Sequence, residues 1–220
     1  MTIGIAEVLP YAVGVAISPV PIIAVILMLF SSRAKVNGPM FLTGWAVALA
    51  VVSGVALLAG DAASESTTTD AVPWSQVLFG ALFVLLAVRT WSNQAPAGEQ
   101  PEPPKWMAGI DSLAPVKSLS LALLLAGVNP KNLLLAAGAG AAVAGLALPA
   151  SEAVVSLLVF VILASLTIAV PVIDYLGSDA ARTRLDTLKE WLALHNDAVM
   201  TVLFLVLGVN LISKGIPPLT

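Results

Sequence analysis

The chain has no cysteine, a single histidine and few charges; only 10% of its 220 residues are Asp, Glu, Lys or Arg, where soluble domains carry about 25%. Without cysteine there are no disulfides and no thiolate metal sites, and the redox compartment stays open. One histidine and no clustered carboxylates inside the apolar runs leave nothing from which to build a metal centre or a serine-histidine hydrolase. No metal, no cofactor and no enzymatic activity are therefore expected, and no midplane carboxylate is available for proton coupling. His195 reads as an interfacial residue. The basic residues form no patch, which argues against nucleic-acid binding. No Lys or Arg precedes Arg33, so the positive n-region of a cleaved signal peptide is missing and the first helix is expected to be retained.

What the chain does have is apolar sequence: 59% hydrophobic residues and a mean hydropathy of +0.98. This is the composition of an integral membrane protein. Since a span needs roughly 20 residues, the apolar runs, cut at Gly, Pro and polar clusters, predict six transmembrane helices near 8–30, 39–60, 73–91, 119–148, 152–177 and 197–215. They make one all-α membrane domain over 1–220, with a first group of three helices in 1–91, a polar linker at 92–117 and a second group in 118–220. The net charge of -3 decides little, because the distribution of positive charge sets topology. Arg33 and Lys35 follow the first span, Arg89, Lys105 and Lys117 lie between the third and fourth, and Arg182, Arg184 and Lys189 lie between the fifth and sixth. The alternate loops hold Asp61, Glu65, Asp70 and Glu152 with no base, and Lys214 is the one exception to this sorting apart from Lys131. By the positive-inside rule the basic loops and the 92–117 linker are cytoplasmic and both termini extracytoplasmic. Within 178–196, Leu185, Leu188 and Leu192 share a helical face beside Trp191, the pattern of an amphipathic helix lying on the membrane surface or packed on the bundle.

Lys131 stands apart from this pattern because it falls inside the fourth apolar run. An ammonium at mid-membrane costs at least roughly 3 kcal/mol, so an intramembrane lysine points to function. Its neighbours add to the case. Asn129-Pro130-Lys131-Asn132 aligns with Ser18-Pro19-Val20-Pro21 of the first span, and each pairs a good N-cap residue with a proline, the start signal of a helix. A start in mid-span means a broken helix. Because three is odd, the two three-helix groups have opposite orientations, and broken helices at matching places of inverted halves mark a transporter's binding site. The new helix ends would turn N–H groups and positive dipole ends toward the midplane beside Lys131, which suits an anionic group. The competing reading is structural: prolines that merely kink, and a lysine in a buried ion pair with Glu7 or Asp174.

Other candidates are weaker. Asn210 in the sixth span could bind substrate or tie helices together. Arg89 and Asp174, each near a cytoplasmic helix end, are a candidate inner gate pair, although a snorkelling arginine also explains Arg89. Gly38, Gly44, Gly54, Gly138, Gly140 and Gly145, with Ala141 and Ala144, would let helices approach closely.

The proline-rich first span and its continuation, AISPVPIIAVILMLFSSRAKVNGPMFLTGWAVAL, with NPKN in the fourth span, resemble the LysE (lysine exporter) superfamily. Within it they resemble most the GAP-like, sulfolipid-addressing (peptidoglycolipid-addressing) proteins, over nearly the whole chain. The resemblance implies a plasma (inner) membrane exporter with two inverted three-helix repeats, whose role is to move complex envelope lipids toward the cell surface. Its motif residues here are Pro19, Pro21, Asn129, Pro130 and Lys131. Amino-acid exporters of the superfamily tend to have Pro-Gly-Pro where this chain has Pro19-Val20-Pro21. The expected site is therefore Ser18, Pro19, Pro21, Asn129, Pro130, Lys131, Asn132 and Asn210, binding an anionic lipid or small-molecule substrate by alternating access. Export of amino acids or other small organic anions, and a non-transporting scaffold for lipid-synthesis machinery, are the alternatives. Membrane lipids are the expected surroundings, and a homodimer is left open.

Overall fold

Proline placement decides where three of the helices begin. A computed structural model describes residues 2–64, 74–93, 109–110, 113–177 and 181–216. Among them are eight α-helices and no strand: α1 (Thr2–Ala16), α2 (Pro19–Phe30), α3 (Ala34–Ser64), α4 (Trp74–Ser92), α5 (Pro115–Gly127), α6 (Pro130–Ala144), α7 (Ala150–Gly177) and α8 (Ala181–Gly215). Pro19, Pro115 and Pro130 each open a helix, where the missing N–H costs nothing and the fixed φ suits the first turn. Pro10, Pro39 and Pro171 lie inside α1, α3 and α7 without ending them. The breaks occur where the residue before proline leaves the helical region: Ser18 has φ -92 and ψ 102, and Asn129 has φ -58 and ψ 120, the extended bias that a following proline imposes.

The expected first and fourth spans are thus bent pairs, α1 with α2 at 57° and α5 with α6 at 66°. α3 (Ala34–Gly60), α7 and α8 (Thr183–Ser213) are long and apolar enough to cross a membrane unbroken, which gives three candidate spans, or five if each bent pair is one. The expected third span corresponds to α4, of which Gly80–Ser92 is a shorter apolar stretch. Residues Glu65 and Asp70 and most of the 92–117 linker lie outside the described residues.

The separate surface helix expected over 178–196 is not observed. It runs on without interruption into the sixth apolar segment as the 35-residue α8, because no Gly or Pro occurs between Ala181 and Leu207 to stop it. Leu185 and Leu192 are buried, whereas Leu188 and Trp191 are exposed.

The chain packs into two compact units, each drawing on both sequence halves. One comprises Met1–Ser66 with Glu102–Leu192, the other Thr67–Pro101 with Ala193–Thr220. In the first unit α3 packs on α5 and α6, and α7 packs on α1 and α2; α1 also meets α6, and α3 meets α7. Small residues bring the backbones together, as they do where lipid removes the hydrophobic drive between helices. A Cβ on Gly44 would lie 2.5 Å from Leu119 O, and one on Gly140 would collide with Ser53 O and Leu57 N. Gly54 and Gly145, by contrast, face no close neighbour.

These contacts also fix helix directions. Gly4 meets Ser156 while Ala16 meets Thr167, so α1 and α7 run parallel. Gly44 at Leu119 and Ala48 at Gly127 set α3 parallel to α5, and Ser53 at Gly140 followed by Gly60 at Ala144 sets it parallel to α6. Tyr11 at Gly138 and Ser18 at Lys131 set α1 antiparallel to α6. It follows that α3 and α7 are antiparallel.

Apolar residues line the outside as well. Val47, Val51, Val55 and Leu58 form an exposed stripe along α3, and Val154, Leu158, Ile162, Leu166, Val170 and Ile173 form another along α7. Stripes of this length are out of place in water and suit acyl chains. In the second unit α4 and the later part of α8 cross at Gly80 and Gly208, each of whose Cβ positions would fall within 2.8 Å of the other's carbonyl oxygen. Phe83 and Phe204 pack beside this crossing with ring centroids 5.8 Å apart.

Candidate functional site

The two breaks meet. Lys131, on the first turn of α6, donates from Nζ to Ser18 Oγ at 2.6 Å, across 113 residues of sequence. The Ser18 hydroxyl in turn donates to Asn132 Oδ1 at 3.0 Å, and Asn132 Nδ2 donates to Leu125 O at 2.9 Å. That carbonyl belongs to the last turn of α5 and has no partner within the helix, so Asn132 both caps the broken end and fixes its own amide orientation. All three side chains are buried: Ser18 is 4% exposed, Lys131 6% and Asn132 1%.

The local sequence explains why these groups are available. Asn129, the N-cap of α6, accepts from Lys131 N at 3.1 Å through its side chain, the ordinary use of an N-cap. Ser18 holds the same position before α2 yet makes no cap bond. An N-cap side chain serves the N–H of the second or third helical residue; the third here is Pro21, which has none, and the second, Val20, at the position Asn129 caps in the other break, keeps its N–H unbonded among the described residues. The serine hydroxyl is left to bridge Lys131 and Asn132.

The expected bare positive helix ends are narrower than the sequence implied. Pro19, Pro21 and Pro130 have no N–H; Ile22 N reaches Ser18 O at 3.4 Å, and Leu133 N reaches Asn129 O at 2.9 Å. In the two first turns only the N–H groups of Val20 and Asn132 remain without a bond among the described residues. The positive character of the centre therefore rests on Lys131. No ion pair joins it to a carboxylate among the described residues. Asp174, one of its two expected structural partners, pairs with Arg184 at 2.6 Å.

The remaining expected residues separate. Pro19 and Pro21 are buried at the first break, and Asn129 and Pro130 flank Lys131 at the second. Asn210 is half-buried on α8 in the second unit, as Arg89 is exposed in the last turn of α4 there. Two features were not read from sequence. Thr167 Oγ1 donates to Ala16 O at 2.7 Å, closing the carbonyl end of the first break from α7. Asn37 and Ser118, both fully buried, tie the start of α3 to that of α5: Asn37 Nδ2 donates to Leu113 O at 3.0 Å and Ser118 Oγ to Asn37 O at 2.8 Å. A hydroxyl or amide inside an apolar run was the available signal, but many such residues only bond their own helix, as Ser53 and Ser156 do. Among the described residues no three His, Asp or Glu side chains converge as metal ligands.

Fold and site together define a multi-pass helical membrane protein whose polar centre lies where two broken helices touch. The chain belongs to the family described as Sap, sulfolipid-1-addressing protein, which matches residues 8–217. Neither a curated protein nor a solved structure matches it.

Proposed function

We propose that this protein is a plasma (inner) membrane exporter that moves an anionic lipid or glycolipid by holding its head group at Lys131. The observation that carries this reading is a buried ammonium whose side-chain partner is a serine hydroxyl and which no described carboxylate neutralises. A lone cation in a low-dielectric interior is costly, and an anionic head group relieves it. The family's description names a sulfolipid, and a sulfo head group is anionic.

The packing supports two inverted repeats with alternating access between them. The middle helix of each half lies on the broken helix of the other, α3 on α5 and α6, and α7 on α1 and α2; the breaks themselves touch. Exchange of this kind is what a two-fold axis in the membrane plane produces. In this arrangement both termini are extracytoplasmic, and the layout is that of the LysE superfamily.

Purified protein in liposomes provides the test. Movement of a labelled sulfated or phosphatidylglycerol-type lipid would be compared with that of a zwitterionic lipid, lysine and glutamate, for wild type, Lys131→Ala and Lys131→Arg at matched folded protein. We expect anionic lipid to move, Lys131→Ala to slow it roughly 100-fold, and Lys131→Arg to slow it less. Movement of amino acids alone would favour the small-solute exporter, and absence of any movement would favour a scaffold role in lipid synthesis.

A further inference from the structure

Three buried side-chain atoms in the first unit have no hydrogen-bond partner among the described residues: Asn37 Oδ1, Trp45 Nε1 and Ser165 Oγ. Two of them stand at one depth on facing helices. The Cβ position of Gly38 on α3 lies 3.4 Å from a methyl group of Val172 on α7, and these helices are antiparallel. Seven residues on from Gly38 is Trp45, and seven back from Val172 is Ser165. Seven residues are nearly two turns and about 10.5 Å of rise, so Trp45 and Ser165 occupy the faces that α3 and α7 turn toward each other. Trp45 is 1% exposed and Ser165 7%.

They lie within about one turn of the first break in depth. Thr167, two residues beyond Ser165, bonds Ala16 O, the last carbonyl of α1, and Ser18 follows two residues later with its hydroxyl on Lys131. An unpaired donor away from water costs about 1–3 kcal/mol, and an indole N–H can only donate. Two such groups about one helical turn in depth from the Lys131 ammonium are costly to the empty protein unless an acceptor completes them.

We infer that Trp45 Nε1 and Ser165 Oγ are neutral hydrogen-bond donors of the head-group site, binding peripheral oxygens of a tetrahedral oxyanion, a sulfate or phosphate ester, whose charge Lys131 balances. This rests on the head-group reading of Lys131 given above. A tetrahedral ester offers three outward oxygens for an ammonium, a hydroxyl and an indole N–H, whereas a carboxylate offers two. The site therefore favours the tetrahedral group.

The experiment is binding of a sulfated galactolipid, a phosphorylated lipid of matched chains and a fatty acid, each in phosphatidylcholine nanodiscs, to wild type, Trp45→Phe, Ser165→Ala, Ser165→Thr and Lys131→Ala, with thermal unfolding measured without added ligand. Trp45→Phe and Ser165→Ala are each expected to weaken binding of the two tetrahedral head groups roughly 10-fold, to affect the fatty acid less, and to leave unfolding unchanged or shifted upward because an unsatisfied donor is gone. Ser165→Thr keeps the hydroxyl and should keep the affinity, so the serine pair decides the matter even if Trp45→Phe fails to fold. Wild-type affinity in Trp45→Phe and Ser165→Ala while Lys131→Ala loses binding overturns this inference and leaves the head-group reading standing. Wild-type affinity in all variants, Lys131→Ala included, overturns both. Lower thermal stability in Ser165→Ala with affinity unchanged marks a purely structural hydroxyl and also overturns the inference.

Discussion

The first helix break and the second have the same form and different chemistry. Both place an N-cap residue before proline and bend an apolar span, by 57° and 66°. At the second, Asn129 caps its helix, and Lys131 and Asn132, two and three positions on, supply the cation and the amide. At the first, Pro21 leaves Val20 as the one N–H that Ser18 could cap, and the hydroxyl turns instead to the other break. A bend is thus set by the N-cap and proline pair, while what the bend presents is set by the residues one to three positions further on. The first break supplies a neutral bridge and the second the charge.

Making the second break neutral should have the largest effect. Asn132→Asp would put a carboxylate in the Ser18 and Lys131 cluster, and we expect anionic lipid transport in liposomes to fall roughly 100-fold at matched folded protein. The same change leaves Leu125 O without its donor, so chemical unfolding should show a loss of roughly 1–3 kcal/mol. Removing the bridge comes next. Ser18→Ala should keep the bend, which the prolines maintain, and lower head-group affinity roughly 10-fold by titration in nanodiscs, because Lys131 loses its positioning partner.

Smaller changes separate the two N-caps. Asn129→Ala should cost about 1 kcal/mol in unfolding experiments, the usual value of a cap. Pro21→Ala restores an N–H three residues after Ser18, and a new cap bond should offset most of the lost proline stiffening. Stability is then expected to stay within about 0.5 kcal/mol of wild type. Transport should still fall, because the Ser18 hydroxyl is drawn from Lys131 to its own helix. A Pro21→Ala variant with undiminished transport would mean that the proline has no part in freeing the hydroxyl.

Local rules made part of this legible. Ser18-Pro19 and Asn129-Pro130 signalled helix starts in mid-span, and the apolar burial of Lys131 marked it without any knowledge of the fold. The match of the two breaks put Ser18, Lys131 and Asn132 in one expected site, but the individual bonds were beyond reach, because contacts across more than 100 residues leave no local trace. Nothing around Ser18 says that Asn132 is its partner, nor around Thr167 that Ala16 is. Pro10, Pro39 and Pro171 look like Pro19 in a hydropathy plot, yet they do not end their helices. The separation of a surface helix from the sixth apolar segment failed for a related reason. The change of polarity within this segment suggests a boundary, but polarity changes which face is solvated, and ending a helix takes a breaker, of which there is none between Ala181 and Leu207.

The meeting of the two breaks is open to a direct test because the chain has no cysteine. Ser18→Cys with Asn132→Cys, treated in membranes with a short thiol-reactive cross-linker and followed by mass spectrometry, should give an intramolecular cross-link in high yield, as expected for side chains whose polar atoms lie 3.0 Å apart. Transport should stop on linking with a reducible reagent and return on reduction. Failure of the pair to link while each cysteine reacts singly would contradict the arrangement of the two breaks around Lys131.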